Sequence, residues 1–420
     1  MPHKVALDAL DFAGSIRAGD VVAWLPGSSE PVALVSRLGA QAPSCAPFAI
    51  LVGLGLGEAF PAGHPNVEVR AFGGAGTTRR FLRASAGGVV PCNVSNLCEL
   101  VAQRDIRIDV VLLQVAGPDA QGRYNAGPSV QYLREAIGQA RLVIAQVNAH
   151  VPWTHGDTLL EGHRFHVIVE ADTPLLQVPP AAANETATRI GEHIGRMVGD
   201  RAVLQLGIGA IPDATTRALA ARRGLGVHAG VIGDGIVDLI ESGAIDNRHK
   251  EVDEGITVTM ALHGTDRLNA FAARNERLHV RSPRHTHDPA VLARLSKFTA
   301  INSAIEVDLT GQINGETAEG AHIGTIGGQG DFMRAAMRSP GGRSIIALPA
   351  TAARGAKSRI VARMHDAVVT TPRADADVIV TEHGIAELRG RTLAERARAL
   401  IRIAAPQFRD ELTAHAERLV

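Results

Sequence analysis

Cysteine is scarce in this sequence, and long apolar runs and an excess of either charge are missing. The three cysteines are Cys45, Cys92 and Cys98. They have no metal-ligand spacing and make no even disulfide set. That pattern suits a reducing cytosol, so a cytoplasmic protein is expected. The opening residues, Met1-Pro2-His3-Lys4-Val5-Ala6-Leu7-Asp8, lack the apolar stretch of a signal peptide. The longest apolar run, around Pro47 to Gly57, is rich in glycine and too short to span a bilayer. Lys+Arg and Asp+Glu number 43 each, so the formal net charge is zero. That balance excludes a protein devoted to nucleic acid, while leaving room for a local basic patch. The 17 histidines form no HExxH-type pair, so no metal site is expected. Low-complexity segments and short-period repeats are also missing.

What is present is a long alternation of strand and helix signals. A chain of 420 residues exceeds one ordinary core and predicts two domains. In the first half, Val21 to Leu25, Phe48 to Leu54, Val67 to Phe72, Ile108 to Val115 and Leu142 to Val147 read as strands. The last two are almost uninterrupted apolar runs, as in central parallel strands buried on both faces. Val32 to Leu38 and Val130 to Gln139 read as helices, the second linking two strands in a βαβ unit. The stretch Pro174 to Asn184, with Pro174, Pro179 and Pro180, breaks the pattern and is the best linker. Glu185 to Val198 then opens the second half as an amphipathic helix. Strands are predicted at Val203–Leu206, Gly226–Ile232, Ile256–Ala261, Phe298–Ile301, Ser344–Leu348, Ala367–Thr370 and Val378–Thr381. Thr392 to Ala404 and Phe408 to Leu419 close the chain as helices. The expected fold class is α/β, with mainly parallel sheets in two domains, residues 1–184 and 185–420.

Four segments carry chemistry. After Val203–Leu206 comes Gly207-Ile208-Gly209-Ala210-Ile211-Pro212-Asp213, read as a glycine-rich turn, with a helix from Ala214 to Arg223. Backbone N–H groups gathered at a helix start suit a phosphate or an oxyanion. Alone, the turn also reads as a tight strand–helix connection. A dinucleotide fingerprint fits less well, because Pro212 stands where its third glycine belongs and Asp234 is poorly spaced. The second segment runs from Asn302 through Ile305, Glu306 and Asp308 to Asn314, and continues at Ile326-Gly327-Gly328-Gln329-Gly330. The third, Ala352 to Val361, crowds Arg354, Lys357 and Arg359 into one loop. On charge alone that loop is equally a solvated surface run; cations there would also suit phosphates. The fourth, Val378 to Gly390 with Glu382-His383-Gly384, reads as architectural.

These segments, with Gly117-Pro118-Asp119 and Val147-Asn148 in the first half, resemble the acetyl-CoA hydrolase/transferase family over essentially the whole chain. The match is loosest before about residue 100. The resemblance implies two CoA-transferase-like α/β domains with the active site at their interface, and a homodimer. It assigns residues 1–184 to the acyl or acceptor side and 185–420 to coenzyme A. It makes acyl-CoA the substrate, with no metal, and implies CoA contacts from Gly207, Ile208, Gly209, Ala210, Ile211, Ile305, Gly327, Gly328 and Lys357. The family has a glutamate where this chain has Gln146.

The chain departs from the family at its nucleophile. There, a glutamate two residues after a histidine attacks the thioester, and its carboxylate relays an activated acyl group. Here His228-Ala229-Gly230 puts Gly230 in that place. The expectation is a missing side chain that leaves space where an acceptor could stand. Asp234, Asp238 and Glu241 lie close in sequence but have counterparts in glutamate-bearing relatives, so Glu306 is the best substitute carboxylate. His228 shares a strand face with position 230 and is the first candidate base; His155 is the second. Three functions follow. The acyl group passes directly to water or a small acceptor without a glutamyl intermediate; or a relocated carboxylate such as Glu306 supports CoA transfer between acids; or acyl-CoA is bound without turnover.

Overall fold

Apolar runs set the architecture. All six residues of Val110–Val115 are buried, as are all five of Phe48–Val52. A strand covered on both faces belongs inside a parallel sheet flanked by helices. The computed structural model, which describes residues 2–84, 87–365 and 367–417, has that arrangement, and the α/β class is as expected. The chain divides into two units. Unit 1 takes residues up to Val178, with Val258–Thr286 and His322–Thr325. Unit 2 takes Pro179–Thr257, His287–Ala321 and the chain from Ile326 onward.

Unit 1 carries strands β1 (His3–Val5), β2 (Val21–Trp24), β3 (Phe48–Val52), β4 (Val67–Ala71), β5 (Gly87–Val89), β6 (Val110–Val115), β7 (Leu142–Val147) and β8 (Val167–Glu170). Across the sheet they run β1-β8-β7-β6-β2-β3-β4-β5. Every neighbouring pair is parallel. Helices α1 (Val32–Gln41), α2 (Val94–Ala102) and α3 (Leu133–Gln139) join them. Helix α3 connects β6 to β7 as the βαβ reading requires, although it begins at Leu133 rather than Val130. Phe12, Trp24, Leu34, Leu38, Phe48 and Ile50 centre one core. A further strand, Leu278–Val280, pairs in parallel with the two residues His155–Gly156.

Residues 171–184 hold no regular secondary structure. Asn184 then caps the first helix of unit 2, its side-chain oxygen accepting the Ala187 N–H at 2.8 Å. The elements here are α4 (Glu185–Met197), β9 (Val203–Leu206), α5 (Ala210–Ala218), β10 (Gly226–Ile232), β11 (Phe298–Ser303), α6 (Gln329–Arg338), β12 (Arg343–Ala347), β13 (Val378–Thr381), β14 (Gly384–Glu387) and α7 (Leu393–Ile403). The strands lie in the order β14-β13-β12-β11-β9-β10. All pair in parallel except the β13–β14 hairpin. Thr392 and Glu395 form a capping box at the start of α7.

Three expectations need correction. Helix α5 starts at Ala210, four residues before the predicted Ala214, and ends at Ala218. Pro212 does not oppose this, because proline in a first helical turn lacks only an N–H that would be unbonded anyway. The predicted strand Ala367–Thr370 is irregular. Val368 and Val369 are 38% and 44% exposed, so β-propensity without a covering layer did not make a strand there. The helix expected at Phe408–Leu419 spans Arg409–Ala416, and Leu419 lies outside the described residues. Among the described residues no helix is long and apolar enough to cross a membrane.

One buried acid gives unit 1 a pH signature. Glu30, just after β2, is 5% exposed. Burial pushes its pKa up to about 7, against the opposing Gly57 N–H bond and the Arg80 charge. The ordinary value is 4.5, so the folded state holds an extra proton between the two. Its contribution is therefore fully present below about 4.5 and is lost as pH rises through about 7. Glu30→Gln should match the wild type in stability at low pH. It should gain on it as pH rises to 8, by up to about 3 kcal/mol in denaturant titrations. A stability difference that does not change with pH would contradict this.

Candidate functional site

In unit 2 the strand order reverses at β9. The chain proceeds from β9 to β10 on one side, while β11, β12 and β13 stack on the other. Connections leaving the carboxyl ends at such a reversal part company and open a crevice, the usual ligand position in open α/β sheets. Two expected segments lie there: Gly207–Ile211 follows β9, and Ile305 follows β11. The strand ends are tied by a reciprocal amide pair. Gln205 Nε2 donates to Asn302 Oδ1 at 3.3 Å, and Asn302 Nδ2 donates to Gln205 Oε1 at 3.1 Å.

Two helix starts are prepared for an anion. Gly209 is the N-cap of α5 and offers no side-chain cap. Its φ of 113° and ψ of −175° fall in a region essentially restricted to glycine. Gly207 is exposed, and a Cβ built on it would meet nothing within 4 Å. The turn therefore presents bare backbone to open space. Gly328 likewise caps α6 without a side chain, after Gly327 at φ 56°. A helix start without a side-chain cap keeps its first N–H groups and the positive end of its dipole for a ligand. Phosphate groups, or the oxyanion of a reacting thioester, fit that donor set.

Gly230 sits on β10, two residues from His228 and on the same face. His228 is fully buried, with a ring nitrogen within 4.8 Å of an Asp253 carboxylate oxygen. The expected open space beside Gly230 is not there. A Cβ at 230 would lie 3.1 Å from His287 Nε2 and 3.4 Å from Phe332 Cε2. The same two rings close on Gly328, where a Cβ would meet His287 Nε2 at 2.5 Å and Phe332 Cε2 at 2.9 Å. The rings themselves pack with centroids 4.5 Å apart. His287 is 1% exposed, and burial lowers its pKa to about 3, so the imidazole is neutral. Sequence reasoning missed it: His287 directly precedes Asp288, the N-cap of the short helix Pro289–Leu292, and no motif marks it.

Lys250 was also missed. Its Nζ donates to the carbonyls of Val227 at 2.9 Å and Ile256 at 2.6 Å. Burial lowers its pKa to about 7, against the pull of Asp253. It pins the backbone next to His228.

The remaining candidates are more dispersed. Glu306 is half-buried on the strand Glu306–Asp308, where Oε1 accepts from Asn314 Nδ2 at 3.0 Å. Lys357 is exposed on a hairpin that pairs Thr351–Ala352 with Lys357–Ser358, and it is ion-paired with Glu319. A phosphate would have to compete with that carboxylate. His155 belongs to unit 1, half-buried, with its ring stacked 6.1 Å from that of His279. Gln146 is buried and accepts the Leu34 N–H at 3.3 Å through Oε1.

An open α/β sheet with two glycine-capped helix starts, one at its reversal point, describes a class of proteins that hold phosphorylated ligands on backbone. Similarity to known proteins narrows the class. The pattern of the acetyl-CoA hydrolase/transferase N-terminal domain matches residues 84–179, and that of the C-terminal domain matches residues 264–416. The 4-hydroxybutyrate coenzyme A transferase of Clostridium kluyveri is 39% identical over 338 residues, 80% of this chain and 79% of its own. An acetyl-CoA hydrolase of Neurospora crassa is 27% identical over 340 residues, 70% of this chain and 62% of its own. The crystal structure of RipA from Yersinia pestis superposes with a TM-score of 0.92 at 31% identity, covering 99% of this chain and 97% of that one. The chain belongs to the acetyl-CoA hydrolase/transferase family of enzymes.

The contacts around His287 set a packing test. Gly328→Ala forces a methyl into the imidazole and should destabilise unit 2 by about 1–3 kcal/mol. Gly230→Glu should cost a similar amount, and His287→Gly in the same chain should recover much of it. Equal destabilisation by Gly230→Glu with and without His287 would show that the two positions do not share space.

Proposed function

We propose that this chain is a CoA-thioester enzyme that binds acyl-CoA and passes the acyl group to water or a small acceptor, with no glutamyl intermediate at position 230. The carrying observation is that Gly230 has no carboxylate and its flank is filled by His287 and Phe332. The glycine turns that suit CoA are nevertheless intact. In this reading the first N–H groups of α5 take the charge that develops on the thioester oxygen. Gly327 and Gly328 let the backbone approach the ligand, and Lys357 exchanges Glu319 for a phosphate. Relatives that carry the names of transferases and of hydrolases both occur, so an acid acceptor and water are both within the family's chemistry. The family resemblance supports a homodimer as the working assembly.

The rival reading moves the nucleophile to Glu306. That carboxylate is already bonded to Asn314, and its charge acts on the half-buried Arg359 guanidinium. Both ties argue that it has a structural task.

The test is to incubate the protein with a panel of acyl-CoAs, with and without acetate, trap with borohydride, and map the peptides by mass spectrometry. CoA release with no modified carboxylate is expected. A trapped adduct on Glu306 or another acid would establish the relocated nucleophile instead. Tight acyl-CoA binding with no release under any condition would make the chain a binding protein.

A further inference from the structure

The end of the unit 2 sheet away from the crevice carries cavities of its own, and their walls are cationic. The chain enters β12 at Arg343 and β13 at Val378, so these residues mark the amino ends of two paired parallel strands. Beside them and the close of α6 lies a cavity of about 560 Å³. Arg338, Arg343, Arg389 and Arg391 line it, against Asp377 and Glu387. A second cavity, of about 500 Å³, shares Arg391 and Glu387 with the first and continues along α7. It adds Arg398 and Arg402 against Glu395. Those three are spaced by three and four residues on α7, so they fall on one face of the helix. Six arginines therefore meet three acids along one groove, in a chain whose charges cancel overall.

The acids are already engaged. Asp377 Oδ2 accepts the Ser344 N–H at 3.0 Å, and Glu395 closes the capping box with Thr392. Glu387 pairs with Arg343 at 3.1 Å, but both side chains are about half exposed. An ion pair in that setting is weak enough for a more highly charged anion to displace. On the cationic side, Arg389 donates to the Met337 carbonyl at 2.7 Å, while Arg391 and Arg398 act on Glu395 through charge. Among the described residues, Arg338 and Arg402 make no side-chain hydrogen bond or ion pair. Arg338, Arg389, Arg391, Arg398 and Arg402 are all exposed, so a ligand in solution reaches them.

We propose that this groove is a second anion site, separate from the thioester chemistry, and that it takes a short phosphate chain. Guanidinium forks stay charged at any physiological pH and match phosphate oxygens in pairs. A carboxylate offers its two oxygens in one plane. Each phosphate offers oxygens in several directions, so one chain serves arginines that arrive from α6, from the start of β12 and from the segment between β14 and α7. The volume suits a small ligand. Among the described residues lining either cavity none is aromatic, so a nucleoside base finds no ring to stack on. The inference stands whether or not the acyl-transfer reading holds.

Tripolyphosphate is the probe, titrated into the full chain by calorimetry. Saturable binding that weakens as salt is raised is expected. Replacing both arginines, Arg338→Gln with Arg391→Gln, should lower the affinity by about 10-fold or more. Lys357→Gln, and Arg164→Gln at an exposed arginine of unit 1, should each stay within about 2-fold of wild type. In the unmodified protein, phenylglyoxal labelling followed by peptide mapping should show Arg338 and Arg391 protected by tripolyphosphate and Arg164 unprotected. ATP should bind no more than about 3-fold more tightly than tripolyphosphate, and a stronger preference would overturn the phosphate chain as the group that is read. Absence of binding would sink the proposal. So would an equal loss in Arg164→Gln, which would reduce the effect to general surface charge, or a loss confined to Lys357→Gln, which would put the probe among the residues assigned to CoA.

Discussion

Four residues, Val203–Leu206, pair in parallel with strands that depart in opposite directions across the sheet of unit 2, and the candidate site follows from that pairing. Because β10 lies on one flank and β11 on the other, the connections leaving β9 and β11 separate instead of packing together. The separation leaves a crevice that no local sequence feature could create. The start of α5, the segment after β11 and the amide pair between Gln205 and Asn302 all gather at its mouth. Parallel pairing also requires both sheet faces to be covered, which is why these strands are almost wholly apolar. The same requirement that hides the strands delivers their ends to solvent.

In the proposed reading, recognition is mostly carried by atoms every residue has. Backbone N–H groups at two helix starts supply positive potential without a buried cation, in a chain whose charges cancel. Such donors are held in place by the helix itself, and glycine at 209 and 328 lets a ligand come close to them. Lysine is used sparingly: Lys357 remains at the surface against Glu319, and Lys250 is turned inward to hold two carbonyls. In that reading these two lysines adjust recognition more than they create it.

Much of this was legible in the sequence, and the failures have physical causes. Val110–Val115 and Leu142–Val147 announce buried strands because only a doubly covered strand tolerates such runs. Gly209 announces a turn because little else adopts its backbone. The start of α5 was read four residues late because Pro212 looks like a helix breaker, although a first helical turn tolerates it. Val368 and Val369 mimic a strand because propensity is local whereas burial is not. His287 was invisible for a deeper reason. Its significance lies in contacts with residues 57 positions earlier and 41 positions later, to Gly230 and Gly328, and one sequence carries no record of which distant residues meet.

The imidazole between Gly230 and Gly328 has a consequence for descent. A Cβ at 230 would stand 3.1 Å from His287 Nε2, so a side chain there requires the imidazole to give way. A larger residue at 230 would press on the imidazole, and a smaller one at 287 would leave a gap against Phe332, so a change at either place is felt at the other. Among members of the family, the identity of residue 287 should thus travel with that of residue 230, tying two distant places in the chain into a single heritable unit.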